Sequence, residues 1–264
     1  MQNKRISFPI TQAIYRPPTV KVNNERWTDP TPEKDRHAAD PIKSRSDISR
    51  VTRHLVEAGR YRDNLLFVMG VNFGYRCSDL VQIKFGHVLQ LDGYDERGSP
   101  LLSYKPSITL QEKKTKHLRT VFLNRAVYTA LDLYLQHLGA IDFDSYLFRS
   151  ASNRCTSNQP LAVRSVERIL KDVINEELRM NIHASTHCLR KTFGYQVVIS
   201  APDRPRAVQF LQTAFGHSSP VITMAYIGIT NDEIMQVYQN LNLGSLEEDD
   251  GMDFGISSGL SAAG

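Results

Sequence analysis

The chain has 264 residues, of which 41% are hydrophobic and 23% are charged, and its formal net charge is +4 at pH 7. This composition is ordinary for a globular protein with a packed core. It contains no apolar run near the roughly 18–20 residues of a membrane-spanning helix. Three scattered cysteines (Cys77, Cys155 and Cys188) exclude a disulfide framework and a CxxC zinc motif. We therefore predict a cytoplasmic protein with no structural metal and no membrane association.

Charge is distributed unevenly along the chain. Residues 41–240 contain 25 Lys and Arg against 18 Asp and Glu, a net charge of +7, whereas residues 241–264 contain five acidic residues and no basic ones. A basic body suits a polyanionic partner such as DNA, because each neutralised phosphate releases counterions. Many basic proteins bind no nucleic acid, so charge alone leaves the partner open.

The two ends of the chain differ in composition from its middle. Residues 1–40 contain five prolines and show no helical or strand periodicity, which predicts an extended or disordered arm. The basic and aromatic residues of this arm (Arg16, Lys21, Arg26 and Trp27) also suit contact with DNA, and both interpretations stay open. Residues 244–264 are acidic and then rich in Gly, Ser and Ala, which predicts a flexible tail. The folded domain is predicted over residues 41–243.

Two helices open this domain. Ser46-Asp47 predict the cap of a first helix that ends at Gly59, and a second helix runs from Tyr61 to near Gly74.

A charged pair follows the second helix. Arg76 lies just past its end, and Asp79 follows three residues later. On a short helix the two share a face, so the carboxylate would orient the guanidinium. An ordinary surface ion pair of little energetic value is the alternative.

Residues 87–123 predict a small antiparallel sheet. A strand over residues 87–91 is followed by an Asp92-Gly93 turn, a second strand includes residues 108–110, and a third covers residues 117–123. The turn before the third strand is Lys113-Lys114-Thr115-Lys116, which places three ammonium groups at one sheet edge. Such charges often only keep an edge solvated.

The second half of the domain is predicted to be helical. Helices are expected over residues 125–138 and 163–180, from Ser185-Thr186 onward, and over residues 205–215. His187 and Arg190 share a face of the third of these. Gly216 and Ser218 then separate the fourth from a helix that carries Tyr226, and Thr230-Asn231-Asp232-Glu233 predict the cap of a last helix through Tyr238. His183 and His187 have a zinc-ligand spacing, but a helix start lies between them and no third ligand is in range, so no metal site is predicted.

Four of these stretches, taken in their order and spacing, resemble the catalytic signature of the tyrosine recombinases, the phage integrase family. They are Gly74 to Leu80, Lys113 to Lys116, Thr186 to Phe193 and Phe215 to Tyr226. The resemblance covers residues 41–240 and implies an α+β, mostly helical catalytic domain with a small antiparallel sheet near Arg76. Family members usually carry a separate helical DNA-clamping domain before the catalytic one, which residues 1–40 are too few to supply.

The resemblance also implies catalytic roles. Tyr226 would be the nucleophile that attacks a DNA phosphate, and His187 would be its general base. Arg76 and Arg190 would hold the phosphate oxygens, a role that suits planar, always charged guanidinium groups. His217 would donate a hydrogen bond to a phosphate oxygen and help to position the tyrosine.

The remaining roles concern the leaving group and the DNA. The family carries a catalytic lysine on this hairpin, and Lys114, directly before the threonine, matches it best, with Lys113 and Lys116 as alternatives. Asp79 would support Arg76. Lys113, Lys116 and Lys191 would contact DNA; Lys191 stands where many members have histidine.

The function implied is site-specific recombination of double-stranded DNA through a 3′-phosphotyrosyl intermediate, with no cofactor, metal or ATP. The protein would act as a tetramer on two DNA sites, near the nucleoid, for a mobile element or plasmid. A type IB topoisomerase uses the same chemistry and is one alternative. A DNA-binding accessory protein that kept the fold is another. A metal-dependent nuclease is not predicted, because the sequence shows no cluster of carboxylates that would bind the metal ion.

Overall fold

The computed structural model describes residues 38–138, 141–150 and 158–229. Within them the helices are α1 (Arg45–Glu57), α2 (Tyr61–Phe73), α3 (Cys77–Leu80), α4 (Phe85–Val88), α5 (Arg125–Leu135), α6 (Val163–Lys171), α7 (Thr186–Ser200), α8 (Arg204–Phe215) and α9 (Pro220–Ile227). The strands are β1 (Leu89–Tyr94), β2 (Pro100–Tyr104), β3 (Ser107–Gln111) and β4 (Leu118–Phe122). The mostly helical α+β class predicted from the sequence is confirmed.

Helix α2 lies at the centre of the domain. Nine of its 13 residues are buried, among them Leu65, Leu66 and Met69, as expected of a helix largely enclosed by others. It ends at Gly74, whose φ of 60° is left-handed. A Cβ at Gly74 would lie 2.2 Å from the Phe193 ring of α7, so only glycine fits here, and the chain passes directly to Arg76.

The cap of α1 was predicted two residues too late. Ser44 is the N-cap and accepts a hydrogen bond from the Asp47 backbone, while Ser46 and Asp47 lie in the first turn. Similarly, Ser219 and not Ser218 caps α9, because Pro220 occupies the first helical position, which needs no backbone donor.

The predicted single sheet is two hairpins. β1 pairs with β2, and β3 pairs with β4, both antiparallel. His87 and Val88 belong to the short helix α4 and not to a strand. Asp92 and Gly93 lie inside β1 at a register shift, so the turn predicted there is wrong.

The long helix predicted over residues 163–180 is α6 continued by a π-helical turn, Asp172–Glu177. Its predicted apolar face is confirmed, since Val166, Leu170 and Ile174 are buried. Helix α7 begins after Ser185, whose hydroxyl accepts from the His187 backbone, as predicted.

Two hydrophobic clusters hold the described part of the domain together. The large cluster contains the buried residues of α1 to α6, such as Leu66, Phe73 and Leu131, and extends to Leu189 of α7. The small cluster is formed by Val198, Ala207, Val208, Leu211, Phe215 and Ile227 from the end of α7, α8 and α9. Helix α7 contributes to both.

No helix in the described ranges is long and apolar enough to cross a bilayer. Residues 38–40, the described end of the predicted arm, contact the domain: Ala39 is buried in the large cluster and Asp40 accepts from the His183 backbone. The rest of the arm, Gly139, Cys155, the last helix predicted from Thr230 and the tail lie outside the described residues.

Candidate active site

Arg190 is the more deeply buried of the two arginines predicted for the site. It lies in the second turn of α7 and is only 3% exposed. Its Nη1 donates to the Gly74 carbonyl at 2.7 Å, its Nη2 donates to the Phe215 carbonyl at 3.3 Å, and its guanidinium lies 4.1 Å over the Phe215 ring. Burial lowers the pKa of Arg190 to about 10, so the group stays charged at neutral pH. One side chain thus joins the end of α2 to the end of α8.

Arg76 lies beside it at the start of α3. Its Nη2 donates to the same Phe215 carbonyl at 3.4 Å, and its Nη1 donates to the Glu112 carboxylate at 2.7 Å. The two guanidinium groups therefore converge on one backbone oxygen. They line a pocket of about 150 Å³ together with residues of α3, the start of α6 and α7: Cys77, Ser78, Val163, Thr186 and His187.

Tyr226 is half-buried on α9 and faces the arginine pair. Its hydroxyl is 3.2 Å from Nδ1 of His187, and its ring packs edge-on against Phe215 and His217 at centroid distances of 5.6 and 5.0 Å. Burial raises the pKa of the Tyr226 phenol above its usual value, and the charges of Arg190 and Arg76 oppose that rise. The phenol is therefore protonated at neutral pH and would need a proton acceptor to react as a nucleophile.

His187 can be that acceptor. Desolvation lowers the pKa of its imidazole, and the charges of Lys191, Arg190, Arg76 and Lys114 lower it further. The ring is therefore neutral at pH 7, where one of its nitrogens is free of a proton.

His217 lies in the loop between α8 and α9. Its Nδ1 is 3.1 Å from the Thr223 hydroxyl, which is also 3.2 Å from the Ser219 carbonyl; when that hydroxyl donates to Nδ1, the other ring nitrogen of His217 carries the proton and can act as a donor. Gly216, with a left-handed φ of 69°, ends α8 directly before it. Burial and the charges of Arg190 and Arg76 lower the pKa of His217.

The lysine turn follows β3. Lys113, Lys114 and Lys116 are all exposed, and Lys116 has a left-handed φ of 59°. Lys114 is near enough to His187 for its charge to act on that pKa. The turn therefore lies at the edge of the cluster formed by Arg76, Arg190 and Tyr226.

The carboxylate partner predicted for Arg76 was wrong. Asp79 is 2% exposed, and its Oδ1 accepts from the Lys113 backbone at 3.0 Å. Within the described part of the chain its Oδ2 has no hydrogen-bond partner. Asp79 is thus buried against the lysine turn, and Arg76 pairs with Glu112 instead.

Sequence reasoning missed Glu112 and Arg119. Arg119 donates to the Phe73 and Gly74 carbonyls and so supports the backbone that Arg190 also binds. The position of Glu112 immediately before a cluster of three lysines is the sequence feature that could have indicated a buried partner for the basic residues.

Lys191 lies closer to the site than expected. Its ammonium is 5.3 Å from the centre of the Tyr226 ring. Within the described ranges there is no group of three or more His, Cys, Asp or Glu residues arranged to hold a metal ion.

A family model described as "Phage integrase family" matches residues 45–233 of the chain. The chain belongs to the phage integrase family. Family and fold together indicate a tyrosine recombinase and support site-specific recombination in general. The family match contains every residue of the site described above.

Individual relatives agree with this. The chain is 29% identical over 207 residues to a probable integrase/recombinase, YoeC, of Bacillus subtilis, an alignment that covers 77% of this chain and 97% of that protein. Its fold is similar to a XerA recombinase (TM-score 0.54, 21% identity) and to a XerH site-specific recombinase in a post-cleavage complex with its difH substrate (TM-score 0.54, 18% identity). The matches cover 79% and 74% of this chain but only 65% and 51% of those two.

Proposed function

We propose that this protein cuts and rejoins double-stranded DNA at specific sites, through a covalent bond between Tyr226 and a 3′ phosphate. One observation carries the proposal: the Tyr226 hydroxyl is 3.2 Å from a histidine nitrogen and lies beside two arginines that converge on the Phe215 carbonyl. A nucleophile, its base and a phosphate-binding pair thus occupy one small volume.

The arginine pair would bind the scissile phosphate. Each guanidinium has five N–H donors, of which the bonds described above use two. The remaining donors suit the non-bridging oxygens, whose negative charge grows in the transition state. Because backbone carbonyls already orient both groups, little reorganisation is needed when the phosphate arrives. Two fixed positive charges can supply the electrostatic stabilisation without a metal ion.

The reaction then moves two protons. His187 takes the proton of Tyr226 as the phenolic oxygen forms a bond to phosphorus. The bond between phosphorus and the 5′ oxygen breaks, and that oxygen takes a proton from Lys114. His217 would donate to a phosphate oxygen through its ring. The products are a 3′-phosphotyrosyl bond and a free 5′ hydroxyl.

Rejoining follows from the same geometry. The phosphotyrosyl bond replaces one phosphodiester by another, so attack of a 5′ hydroxyl on it reforms DNA without ATP. If the hydroxyl belongs to another duplex, strands are exchanged. Exchange requires two cleaved duplexes held together, so we also propose that the protein forms a tetramer on two DNA sites, for integration or resolution of a mobile element or plasmid in the cytoplasm. The XerH structures with difH DNA support DNA as the partner.

The test is to trap the adduct. Sheared DNA from the source organism is incubated with the protein in EDTA and denatured, and the DNA bound to protein is sequenced. Wild type is compared with Tyr226→Phe, and with Tyr94→Phe as a control because Tyr94 is an exposed residue of β1. We expect wild type and the control to trap one enriched sequence and Tyr226→Phe to trap none.

The alternatives give different results. Adducts without sequence enrichment, together with relaxation of supercoiled plasmid, would indicate a topoisomerase. A mobility shift without any adduct would indicate a DNA-binding accessory protein and would overturn the proposal.

A further inference from the structure

Glu112 is a buried acid at the centre of the cationic site. It directly follows β3, precedes Lys113 and is 4% exposed. Its Oε2 accepts from Nη1 of Arg76 at 2.7 Å, while its Oε1 lies 3.8 Å from Nη1 of Arg119 and 3.9 Å from Nη1 of Arg190. Three guanidinium groups therefore surround one carboxylate.

The charge of Glu112 makes this arrangement of arginines possible. Like charges that converge in a partly buried site repel one another, and a central carboxylate offsets that repulsion. Burial alone would raise the pKa of Glu112, but hydrogen bonds from Thr115 and Arg76 and the charges of Arg76 and Arg190 hold it below its usual value. The group is ionised at neutral pH.

The same carboxylate also holds the lysine turn. The Thr115 hydroxyl donates to Oε2 at 2.7 Å, so one oxygen binds Arg76 and the turn together. The Glu112 backbone closes the turn, since its N–H donates to His117 and its carbonyl accepts from Lys116, each at 2.9 Å. Lys114 lies within this closed turn.

A second carboxylate fixes the turn to the same helix. Asp79 of α3 accepts from the Lys113 backbone at 3.0 Å. The start of α3 therefore holds the turn at two adjacent residues, Arg76 through the Glu112 side chain and Asp79 through the Lys113 backbone. The backbone of the turn around Lys114 therefore cannot shift along the cluster without breaking one of these bonds.

We propose that Glu112 is a positioning residue that couples the lysine turn to the phosphate-binding arginines. It places Lys114 against the leaving 5′ oxygen of the phosphate that Arg76 holds, so that the proton arrives as the bond between phosphorus and that oxygen breaks. The inference rests on the proposed function, and the experiment below separates the two.

The experiment compares two leaving groups. DNA with the trapped sequence is made with either oxygen or sulfur at the 5′ bridging position of the scissile phosphate. A thiolate leaves without a proton donor, whereas an alkoxide needs one, and such a donor contributes about 10²–10⁴-fold. A defect in positioning Lys114 therefore slows the oxygen substrate and not the sulfur substrate.

Two variants and a matched control are measured in single-turnover cleavage. Thr115→Val removes the hydroxyl that donates to Glu112 at 2.7 Å and accepts from the His117 backbone at 3.5 Å, and Glu112→Gln removes the charge. Thr109→Val is the control, because Thr109 makes a similar bond to Thr120 on the exposed face of the same hairpin. Thermal melting of each variant reports whether it folds.

We expect Thr115→Val to cleave the oxygen substrate about 10-fold more slowly and the sulfur substrate within about 2-fold of wild type, a loss at the low end for general acid catalysis. Glu112→Gln should cleave the oxygen substrate about 100-fold more slowly than wild type, and at least 10-fold of that loss should be recovered on the sulfur substrate. The loss that remains on sulfur would come from the altered position of Arg76. Thr109→Val should match wild type on both substrates.

Three results would overturn the inference. They are equal losses on both substrates, wild-type rates for folded Thr115→Val and Glu112→Gln, or faster cleavage by Glu112→Gln, which would mean that the carboxylate competes with the phosphate. If Glu112→Gln does not fold, Thr115→Val decides alone. Failure of the proposed function is a distinct result, because wild type would then form no adduct with either substrate.

Discussion

The two hydrophobic clusters of this domain support different residues of the candidate site, and they differ in how many buried residues anchor them. The large cluster supports Arg76, Glu112 and the lysine turn, and it surrounds helix α2, nine of whose 13 residues are buried. The small cluster supports His217, in the loop before α9, and Tyr226, on the eight-residue helix α9, in which only Thr223 and Ile227 are buried. The half of the site proposed to bind phosphate is therefore anchored by many buried residues, and the proposed nucleophile is anchored by few.

This difference separates stability from catalysis. Segments with little buried apolar surface open at lower free energy than the core. Damage to the large cluster should therefore lower the free energy of unfolding most, and damage to the small cluster should lower the cleavage rate most. Arg190 bridges the two clusters through the Gly74 and Phe215 carbonyls, so its loss should affect both quantities.

The largest effect is expected for Arg190→Lys. A lysine cannot bind two carbonyls and a phosphate in the forked geometry of arginine. We expect single-turnover cleavage to fall about 1,000-fold, the upper range for loss of one oxyanion-stabilising donor, and the melting temperature to fall as well. Arg125→Lys, at the exposed start of α5, is the matched control. A wild-type cleavage rate in folded Arg190→Lys would contradict the claim that Arg190 links the two clusters and binds the phosphate.

A second, smaller effect is expected for His187→Ala, which removes the proposed general base. Cleavage at pH 7 should fall about 100-fold, the low end for general base catalysis. In wild type the rate should fall as pH drops through the pKa of His187, which lies below the usual 6.5, since protonation removes the acceptor. Because the pKa of Tyr226 is raised above 10.0, no increase from its ionisation is expected below pH 10.

The measurement is a pH–rate profile in single-turnover cleavage. His54→Gln, at a surface pair with Glu177, should keep the wild-type profile. An unchanged profile in His187→Ala would show that another group takes the proton.

A pair of glycine variants compares the clusters directly. A Cβ at Gly194 would lie 2.5 Å from Ile227 of α9, whereas a Cβ at Gly70 would lie 2.5 Å from Leu189 in the large cluster. Both Gly→Ala changes overpack, at a typical cost of about 1–3 kcal/mol. We expect Gly194→Ala to slow cleavage about 10-fold at temperatures where it is folded, because it displaces the Tyr226 helix.

Gly70→Ala should mainly lower the melting temperature and leave the cleavage rate within about 3-fold, since α2 carries no reacting group. Melting curves and single-turnover rates are needed for both variants. Equal losses of cleavage rate in Gly194→Ala and Gly70→Ala would show that the two clusters do not affect cleavage and stability separately.

The smallest effect is expected for Lys191→Met. A cation over an aromatic face contributes about 0.5–1 kcal/mol at an exposed site, so we expect about a 3-fold slower cleavage with unchanged DNA affinity. If Lys191 instead binds a DNA phosphate, the cleavage rate at saturating DNA will be normal. The slope of the logarithm of the DNA-binding constant against the logarithm of the salt concentration will then become shallower by about one unit, because one counterion fewer is released. Lys171→Met, on the surface of α6, is the control for both readouts.

Much of the fold follows from local signals. Gly59 and Gly74 both adopt left-handed φ, 66° and 60°, where a helix stop was predicted, and Ser185 caps α7. Local signals failed where elements are short or exposed. Strand β2 was missed because its side chains are exposed or half-buried and do not alternate, and α4 was assigned to a strand because four residues show no helical period.

The site follows from sequence for a different reason. Arg76, His187, Arg190, His217 and Tyr226 were selected because their order and spacing resemble a family, and the structure brings them together. Glu112 was missed because its importance depends on an arginine 36 positions away. Reliance on nearness in sequence also gave Arg76 the wrong partner, since Asp79 is nearer in sequence but accepts a hydrogen bond from the Lys113 backbone.

The central claim is that the nucleophile comes from the small cluster and the phosphate site from the large one. The most direct measurement is mass spectrometry of the trapped adduct after digestion with protease and nuclease. We predict one modified peptide, with a nucleotide joined through its 3′ phosphate to Tyr226. A nucleotide on another tyrosine would contradict the account, most clearly on Tyr75, which is buried in the large cluster beside Arg119.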